Sequence, residues 1–245
     1  MGELLQLQMC NQDGCALAPA NVAEQHASVA TESKRVEVSI ISDAICPWCY
    51  VAKRRFEKAV AGLHGEISVA VKWLPLELNP QIPPEGLDRK QYRSRKFGSW
   101  ERSLKLDAEV AQVGALEGIN FRHDLALRTP NTFLAHRLIW RAEKNRLQDE
   151  VVEALFLAYF TEGLDIGDAA IVADIATACG MDRAAVAAFL ESDEGSAEVS
   201  QAEFTAAAQG IAGVPTFVFN GEPAFSGAQR TELMVAHLMS AAGLK

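Results

Sequence analysis

The sequence predicts an α/β protein in which a βαβ unit is separated from a terminal ββα unit by a large all-helical insertion. Three observations support this order. Two β-branched segments flank a helical pattern in the first part of the chain, and helical spacing of apolar residues then dominates positions 87–210. Near the end, two further strand-like segments precede a closing amphipathic helix. Apolar residues form 49% of the 245, enough for a core of this size.

The βαβ unit starts with a strand at about 36–42, where apolar and polar residues alternate. A helix begins next, because Pro47 suits a first helical position, where its missing N–H costs nothing. Gly62 and Gly65 predict the end of this helix. Alternation returns at Ile67–Leu74, so the unit should be parallel and right-handed.

Glycine and proline clusters divide the insertion into several helices. Asn131, Asp182 and Ser192 are predicted to begin or cap three of them, because their side chains can accept backbone N–H groups.

The tail is predicted to form a hairpin around Asn220-Gly221 and then a helix over about 228–242. We therefore divide the chain into an N-terminal extension (1–34), a divided α/β domain (35–80 and 211–245) and the insertion (81–210).

Charge and composition exclude several functions. The net charge of −9 argues against nucleic-acid binding, and no segment has the roughly 18 uncharged apolar residues of a membrane span. Residues 1–33 carry four acidic residues and no Lys or Arg, unlike a secretory or mitochondrial leader. We therefore predict a cytoplasmic protein.

The pair Cys46 and Cys49, in Cys-Pro-Trp-Cys, is the main candidate for chemistry. Cys46 falls between a strand and the first turn of a helix, where free N–H groups and the helix dipole stabilise a thiolate. Cys49, three residues later, can attack a mixed disulfide formed at Cys46. We therefore predict an exposed nucleophile, Cys46, and a resolving cysteine, Cys49.

A C-x-x-C pair can also be half of a zinc site. The other cysteines and histidines form no second pair of ordinary spacing, although a composite site with Cys10 and Cys15 is conceivable. We predict no metal. Cys10 and Cys15 are spaced closely enough to form a disulfide that exchanges electrons with the Cys46–Cys49 pair or senses oxidation, and incidental thiols are the alternative.

Four motifs together resemble the DsbA-like thioredoxin-fold oxidoreductases, in particular the FrnE-like branch of predicted dithiol-disulfide isomerases. They are Ser42–Tyr50 (SDAICPWCY), Leu74–Pro80 (LPLELNP), Pro130–Trp140 (PNTFLAHRLIW) and Gly213–Asn220 (GVPTFVFN). The resemblance covers residues 35–242. It implies a thioredoxin fold interrupted by the helical insertion, with Cys46 and Cys49 as the redox pair.

The same resemblance implies that Val214-Pro215 is a cis-proline loop that faces the cysteines and pairs with an extended substrate peptide. Pro47 and Trp48, between the cysteines, are expected to control access to the thiols and contact substrates, with a packed position of the Trp48 ring as the alternative. Asp43 is a candidate for tuning the thiols or relaying a proton, with capping or solvent contact as the alternative. His136 faces either the cleft or the core, and Cys179 is expected to be buried.

These features predict a cytosolic thiol-disulfide oxidoreductase or isomerase acting on disulfide-containing or thiol-containing proteins. No permanent cofactor is predicted, glutathione is a candidate co-substrate, and the protein is either a monomer or a homodimer. The alternatives are a glutathione-dependent enzyme, related to kappa-class glutathione transferases and 2-hydroxychromene-2-carboxylate isomerases, and a chaperone-like binding module. The basic segment 88–105 suits an acidic partner, glutathione or simple solvation.

Overall fold

The computed structural model describes residues 34–244. Within that range the elements are, in chain order, β1 (Lys34–Ser42), α1 (Pro47–Gly62), β2 (Ile67–Pro75), β3 (Leu87–Asp88), α2 (Arg89–Phe97), α3 (Trp100–Leu116), β4 (Arg128–Thr129), α4 (Phe133–Asn145), α5 (Gln148–Phe160), α6 (Ala169–Ala178), α7 (Arg183–Glu191), α8 (Ser196–Ala208), β5 (Thr216–Phe219), β6 (Glu222–Ser226) and α9 (Thr231–Ala241). The predicted order of a βαβ unit, a helical insertion and a ββα unit is confirmed.

The main sheet has four strands in the order β2-β1-β5-β6. β1 and β2 are parallel over their whole length, as the βαβ prediction requires. β5 is antiparallel to β1, with Ile41 opposite Thr216. The end of β1, which leads to Cys46, therefore meets the start of β5, which follows Pro215. This arrangement brings together two segments that are far apart in the sequence.

The core lies mainly between the sheet and the helices. Alternate residues of β1 are almost fully buried, because successive side chains of a strand point to opposite faces. They share one apolar cluster with residues from the helices and from β5, including Val36, Val38, Ile40, Phe56, Phe156, Phe217 and Leu238. The insertion thus shares its core with the sheet.

One feature of the insertion differs from the prediction. It is not entirely helical, because β3 and β4 form a small antiparallel ladder with Leu87 opposite Thr129. Strands of two residues are too short to show the alternation by which a strand is recognised in a sequence. This ladder joins the start of α2 to the segment before α4.

The predicted helix starts have different outcomes. Asp182 caps α7 and accepts an N–H of its first turn at 2.8 Å, as predicted. The cap of α4 is Thr132, one residue later than predicted, although the Asn131 side chain still accepts the first N–H of the helix. Ser192 does not begin a helix: it ends α7, its hydroxyl accepts a local N–H, and α8 follows Gly195.

The described residues, 34–244, form one compact unit. The division into residues 35–80 with 211–245 and residues 81–210 stays a prediction. Of the predicted extension 1–34, only Lys34 is described, and it already belongs to β1. None of the helices in the described range has both the length and the apolar composition of a membrane span.

Candidate active site

The Cys-Pro-Trp-Cys segment lies at the junction of β1 and α1. Cys46 is the N-cap of α1, and Pro47 occupies the first helical position, as predicted. The Cys46 N–H donates to the Asp43 carbonyl and the Cys49 N–H donates to the Cys46 carbonyl, both at 3.0 Å. The first turn of the helix thus holds both thiols, at the end where the helix dipole stabilises an anion.

Cys46 is less accessible than the sequence predicts. It is only 5% exposed, so the prediction of an exposed nucleophile is wrong for the free protein. The side chains that surround it come from elements distant in the sequence, which local reasoning does not place. Trp48, in contrast, is 41% exposed.

Cys49 lies deeper and is 1% exposed. Burial raises the pKa of the Cys49 thiol well above its ordinary value, and the hydrogen bond and negative charge of Cys46 raise it further. The Ser42 hydroxyl and the Asp43 backbone offset part of this effect. Once Cys46 forms a mixed disulfide it loses its charge, and the Cys49 thiol is then easier to deprotonate. This order of events suits a resolving cysteine.

The Val214-Pro215 peptide bond is cis. The Cys46 sulfur lies 3.8 Å from the Val214 carbonyl oxygen, to which Cys46 can donate a weak hydrogen bond when it is protonated. The sequence-predicted residues Cys46, Cys49, Val214 and Pro215 are therefore brought together.

A cavity of about 390 Å³ opens beside Cys46. Pro47 and Trp48 lie on one side of it, and the α2–α3 hairpin forms the opposite wall. Its apolar lining consists mainly of Ile45, Leu78, Phe97, Leu106, Val110 and Tyr159. The volume falls within the range of small-molecule sites. A ligand or substrate side chain could therefore reach Cys46 through this cavity.

The cavity also carries polar groups. The Lys96 ammonium donates to the Asn79 carboxamide oxygen at 2.8 Å and to the Tyr92 hydroxyl at 3.0 Å. Among the described residues no carboxylate lies within ion-pair distance of Lys96. The buried hydroxyl of Thr129 has no hydrogen-bond partner in the described part of the chain. The lining also includes Arg93, Asp107 and Glu109, so its charges balance overall, and Lys96 is the cation in it that is held by neutral partners. A ligand with a carboxylate could pair with Lys96.

Asp43 and His136 lie next to each other behind the cysteines. Asp43 is fully buried, so the solvent-contact alternative is wrong, and its carboxylate accepts the N–H groups of Ile45 at 3.3 Å and Leu78 at 2.7 Å. His136 is 2% exposed, and its Nε2 lies 3.5 Å from Asp43 Oδ1. His136 therefore belongs to the interior and does not line the cavity beside Cys46.

Two acidic residues near this pair were not predicted. Glu77 Oε2 is buried without a hydrogen-bond partner among the described residues, and the Glu77 N–H donates to Glu203 Oε1 at 2.7 Å. The sequence carries a weak signal for Glu77, a lone acid within the apolar stretch Leu-Pro-Leu-Glu-Leu. Glu203 gives no signal, because its proximity depends on the path of α8.

The structure assigns no role in the site to the other cysteines. Cys10 and Cys15 lie outside the described residues, so the proposed exchange with Cys46 and Cys49 stays a prediction. Cys179 is partly exposed, and the expectation that it is buried is wrong. It ends α6 as the C-cap residue, where a helix terminus leaves side chains less covered.

The chain is similar to several known proteins. The chain is 33% identical over 156 residues to the uncharacterised Bacillus subtilis protein YwbO, covering 64% of this chain and 72% of YwbO. The "probable DsbA oxidoreductase" SCO1869 of Streptomyces coelicolor superimposes with a TM-score of 0.79 at 30% identity, covering 86% of this chain and 91% of SCO1869.

The cytosolic disulfide reductase DsbM of Pseudomonas aeruginosa, solved with GSH, has a TM-score of 0.54 at 14% identity, covering 84% of this chain and 96% of DsbM. At that identity the likeness concerns the fold alone. The model of the DSBA-like thioredoxin domain matches residues 37–239. The chain therefore belongs to the DSBA-like thioredoxin domain family.

Proposed function

We propose that the protein is a cytosolic thiol-disulfide oxidoreductase or isomerase that uses Cys46 as nucleophile and Cys49 as resolving thiol. The observation that carries the proposal is the position of Cys46. It is the N-cap residue of α1, its sulfur lies 3.8 Å from the Val214 carbonyl oxygen, and the buried Cys49 follows in the same helical turn.

The reaction follows from the two thiols. The Cys46 thiolate attacks one sulfur of a substrate disulfide, forms a mixed disulfide and releases the other substrate sulfur as a thiolate. Cys49 then loses its proton and attacks the Cys46 sulfur, so the second substrate sulfur leaves and a Cys46–Cys49 disulfide forms. Two electrons pass to the substrate, and a thiol reductant restores the pair. In isomerisation, a substrate thiol instead attacks the mixed disulfide and releases Cys46.

Proteins with disulfides or thiols are the proposed substrates. An extended segment can pair with the backbone at Val214, and an apolar side chain beside the substrate cysteine can contact the exposed indole of Trp48. A reducing compartment would favour reduction or isomerisation over net oxidation.

Glutathione is the proposed co-substrate, and a glutathione-dependent transferase or isomerase is the second candidate function. The cavity beside Cys46 favours both, because Lys96 can pair with a carboxylate of a small thiol. The dithiol arrangement favours the first function, because a transferase needs no buried resolving thiol.

Serine variants test the proposal in a chain that also carries C10S and C15S. We expect Cys46→Ser to abolish turnover of a disulfide-linked reporter peptide with glutathione as reductant, because the nucleophile is lost. Cys49→Ser should accumulate a mixed disulfide at Cys46, seen by intact-mass spectrometry. Cys179→Ser is the control and should retain full turnover.

Retained reporter turnover in Cys46→Ser would contradict the proposal. The glutathione-dependent transferase or isomerase would be favoured by two results together: the parent does not turn over the reporter, and Cys49→Ser conjugates glutathione to an electrophile.

A further inference from the structure

Four ionisable side chains from four parts of the fold meet behind the cysteine pair. Asp43 follows β1, Glu77 follows β2, His136 lies on α4 and Glu203 lies on α8. We call these four residues the buried charge cluster; Asp43 and His136 are buried, and Glu77 and Glu203 are half-buried. Asp43 contacts His136, and Glu203 accepts the Glu77 N–H. The cluster thus ties together segments that are far apart in the sequence, up to 126 residues for the bond between Glu77 and Glu203.

Asp43 connects this cluster to the nucleophile. Its carboxylate accepts a hydrogen bond from the N–H of Ile45, and its backbone carbonyl accepts one from the N–H of Cys46. The same carboxylate holds the N–H of Leu78, in the segment that lines the cavity beside Cys46. Movement of the Asp43 side chain would therefore disturb both the turn that carries Cys46 and the wall of its cavity.

Two atoms of the cluster lack hydrogen bonds within the described residues. They are Glu77 Oε2 and His136 Nε2, and both are buried. The 3.5 Å contact between His136 and Asp43 is long for a hydrogen bond but short enough for strong attraction between charges. Burying charged or polar groups without partners costs free energy. A cluster that holds a proton is therefore favoured over the alternative, in which all three carboxylates are ionised and the imidazole is neutral.

The charges around His136 favour its protonated form. Burial lowers the pKa of His136, but the contact with Asp43 and the charges of Glu77 and Glu203 outweigh burial, so this pKa lies above its ordinary value. Burial and the charge of Glu203 raise the pKa of Glu77 to about 7, although His136 opposes this.

A second cavity, of about 170 Å³, reaches His136 from the side of β2, α4 and α8. Its charged lining residues are Lys72, Glu143 and Glu198, and α5 contributes only the neutral Gln148. Lys72 pairs with Glu143 at 2.7 Å, so Lys72 adds little net positive charge near the imidazole. The cavity has room for several waters at about 30 Å³ each, which gives His136 a route for proton exchange that avoids Cys46.

We propose that His136, as an imidazolium balanced by Asp43, Glu77 and Glu203, is a positioning residue for Cys46 and makes the reactivity of that thiol depend on the protonation of the buried charge cluster. This inference rests on the proposed function, because it concerns the same nucleophile. The imidazolium attracts the Asp43 carboxylate, 3.5 Å away, and holds it in place. When the cluster loses its proton, repulsion among the carboxylates loosens the bonds that Asp43 makes to Ile45 and Leu78.

The test measures the rate at which iodoacetamide alkylates Cys46 from about pH 5 to pH 9, the range over which histidine titrates. The chain carries C10S, C15S, C49S and C179S, so that Cys46 is the only thiol. If only the ionisation of Cys46 mattered, the alkylation rate plotted against pH would follow the titration curve of one group. In this parent we expect the rate to deviate from that curve near pH 7, where Glu77 exchanges its proton.

In the variants this deviation should change. His136→Gln should slow alkylation at low pH by up to about a hundredfold, the cost of a reacting group misplaced by about 1 Å, and its profile should fit one titrating group. The alkylation rate of Glu77→Gln should show no deviation from a single titration curve near pH 7. His64→Gln is the control, because His64 is exposed and remote from the cluster, and it should match the parent.

The outcomes separate the two proposals. Profiles of His136→Gln and Glu77→Gln that are parallel to the parent profile would show a merely structural role and overturn the inference. Should His136→Gln fail to fold, Glu77→Gln alone decides in the same way. A parent Cys46 that reacts no faster than the same thiol in urea would contradict the proposed function itself.

Discussion

Gly195 shows how a single residue can be restricted by its surroundings. It precedes α8 with φ of +83°, and a Cβ added there would lie 2.6 Å from the Trp140 ring. Gly98, which ends α2, has a similar φ of +90° but nothing within 4 Å of an added Cβ. The two positions share the backbone conformation that favours glycine and differ in the space available.

We predict that Gly195→Ala lowers the free energy of unfolding by about 2 kcal/mol more than Gly98→Ala, because only Gly195→Ala forces a side chain against an aromatic ring. Gly98→Ala should cost about 1 kcal/mol, from the left-handed conformation alone. Urea unfolding of both variants measures the difference. Equal losses would mean that Trp140 moves aside at no cost.

At the scale of elements, one carboxylate holds α2 against α3. Arg89 and Arg93, on α2, reach the two oxygens of Asp107 on α3, at 2.7 and 2.6 Å. All three side chains are mostly buried. The α2–α3 hairpin also forms a wall of the cavity beside Cys46, so this ion network supports the candidate site as well as the insertion.

We expect Asp107→Asn to lower the free energy of unfolding by about 3 kcal/mol, because two buried guanidinium groups would lose the charge that balances them. The matched control is Asp174→Asn, which removes an exposed ion pair with Arg183 and should cost less than about 1 kcal/mol. Thermal and urea unfolding would measure both. A similar small loss in the two variants would show that water enters and solvates the arginines.

Local elements were predictable where the sequence carries a periodic or capping signal. The alternation of β1 and β2, Pro47 at the start of α1 and Asp182 before α7 all have such signals. The placement of Val214 beside Cys46 came only through the family resemblance. The contact between Glu77 and Glu203 had no signal, because it depends on how α8 crosses the end of the sheet. The burial of Cys46 was missed because the side chains around it come from α2, α3 and α5, which are distant in the sequence.

At the scale of the whole molecule, the insertion is bonded to the sheet through β2. Gln148, at the start of α5, accepts the Trp73 N–H at 2.8 Å and donates to the Trp73 carbonyl at 3.0 Å, as a neighbouring strand would. Asp149 accepts the Trp73 indole N–H and also the ammonium of the buried Lys53. These polar bonds lie beside the shared apolar cluster, so neither part has a complete core without the other.

We therefore predict that the sheet and the insertion unfold in one cooperative step, although the insertion separates the two halves of the sheet in the sequence. In native-state hydrogen exchange, the slowest amides of β1 and α5 should share one opening free energy, since both are protected by the same core. Helix α2 is the internal contrast: its buried residue is a charged one, Arg89, so its amides should exchange by local opening at lower free energy. An opening free energy for α5 well below that of β1 would contradict the prediction. It would mean that the bonds to Trp73 and the common core do not couple the two parts, and that the insertion behaves as a separate folding unit.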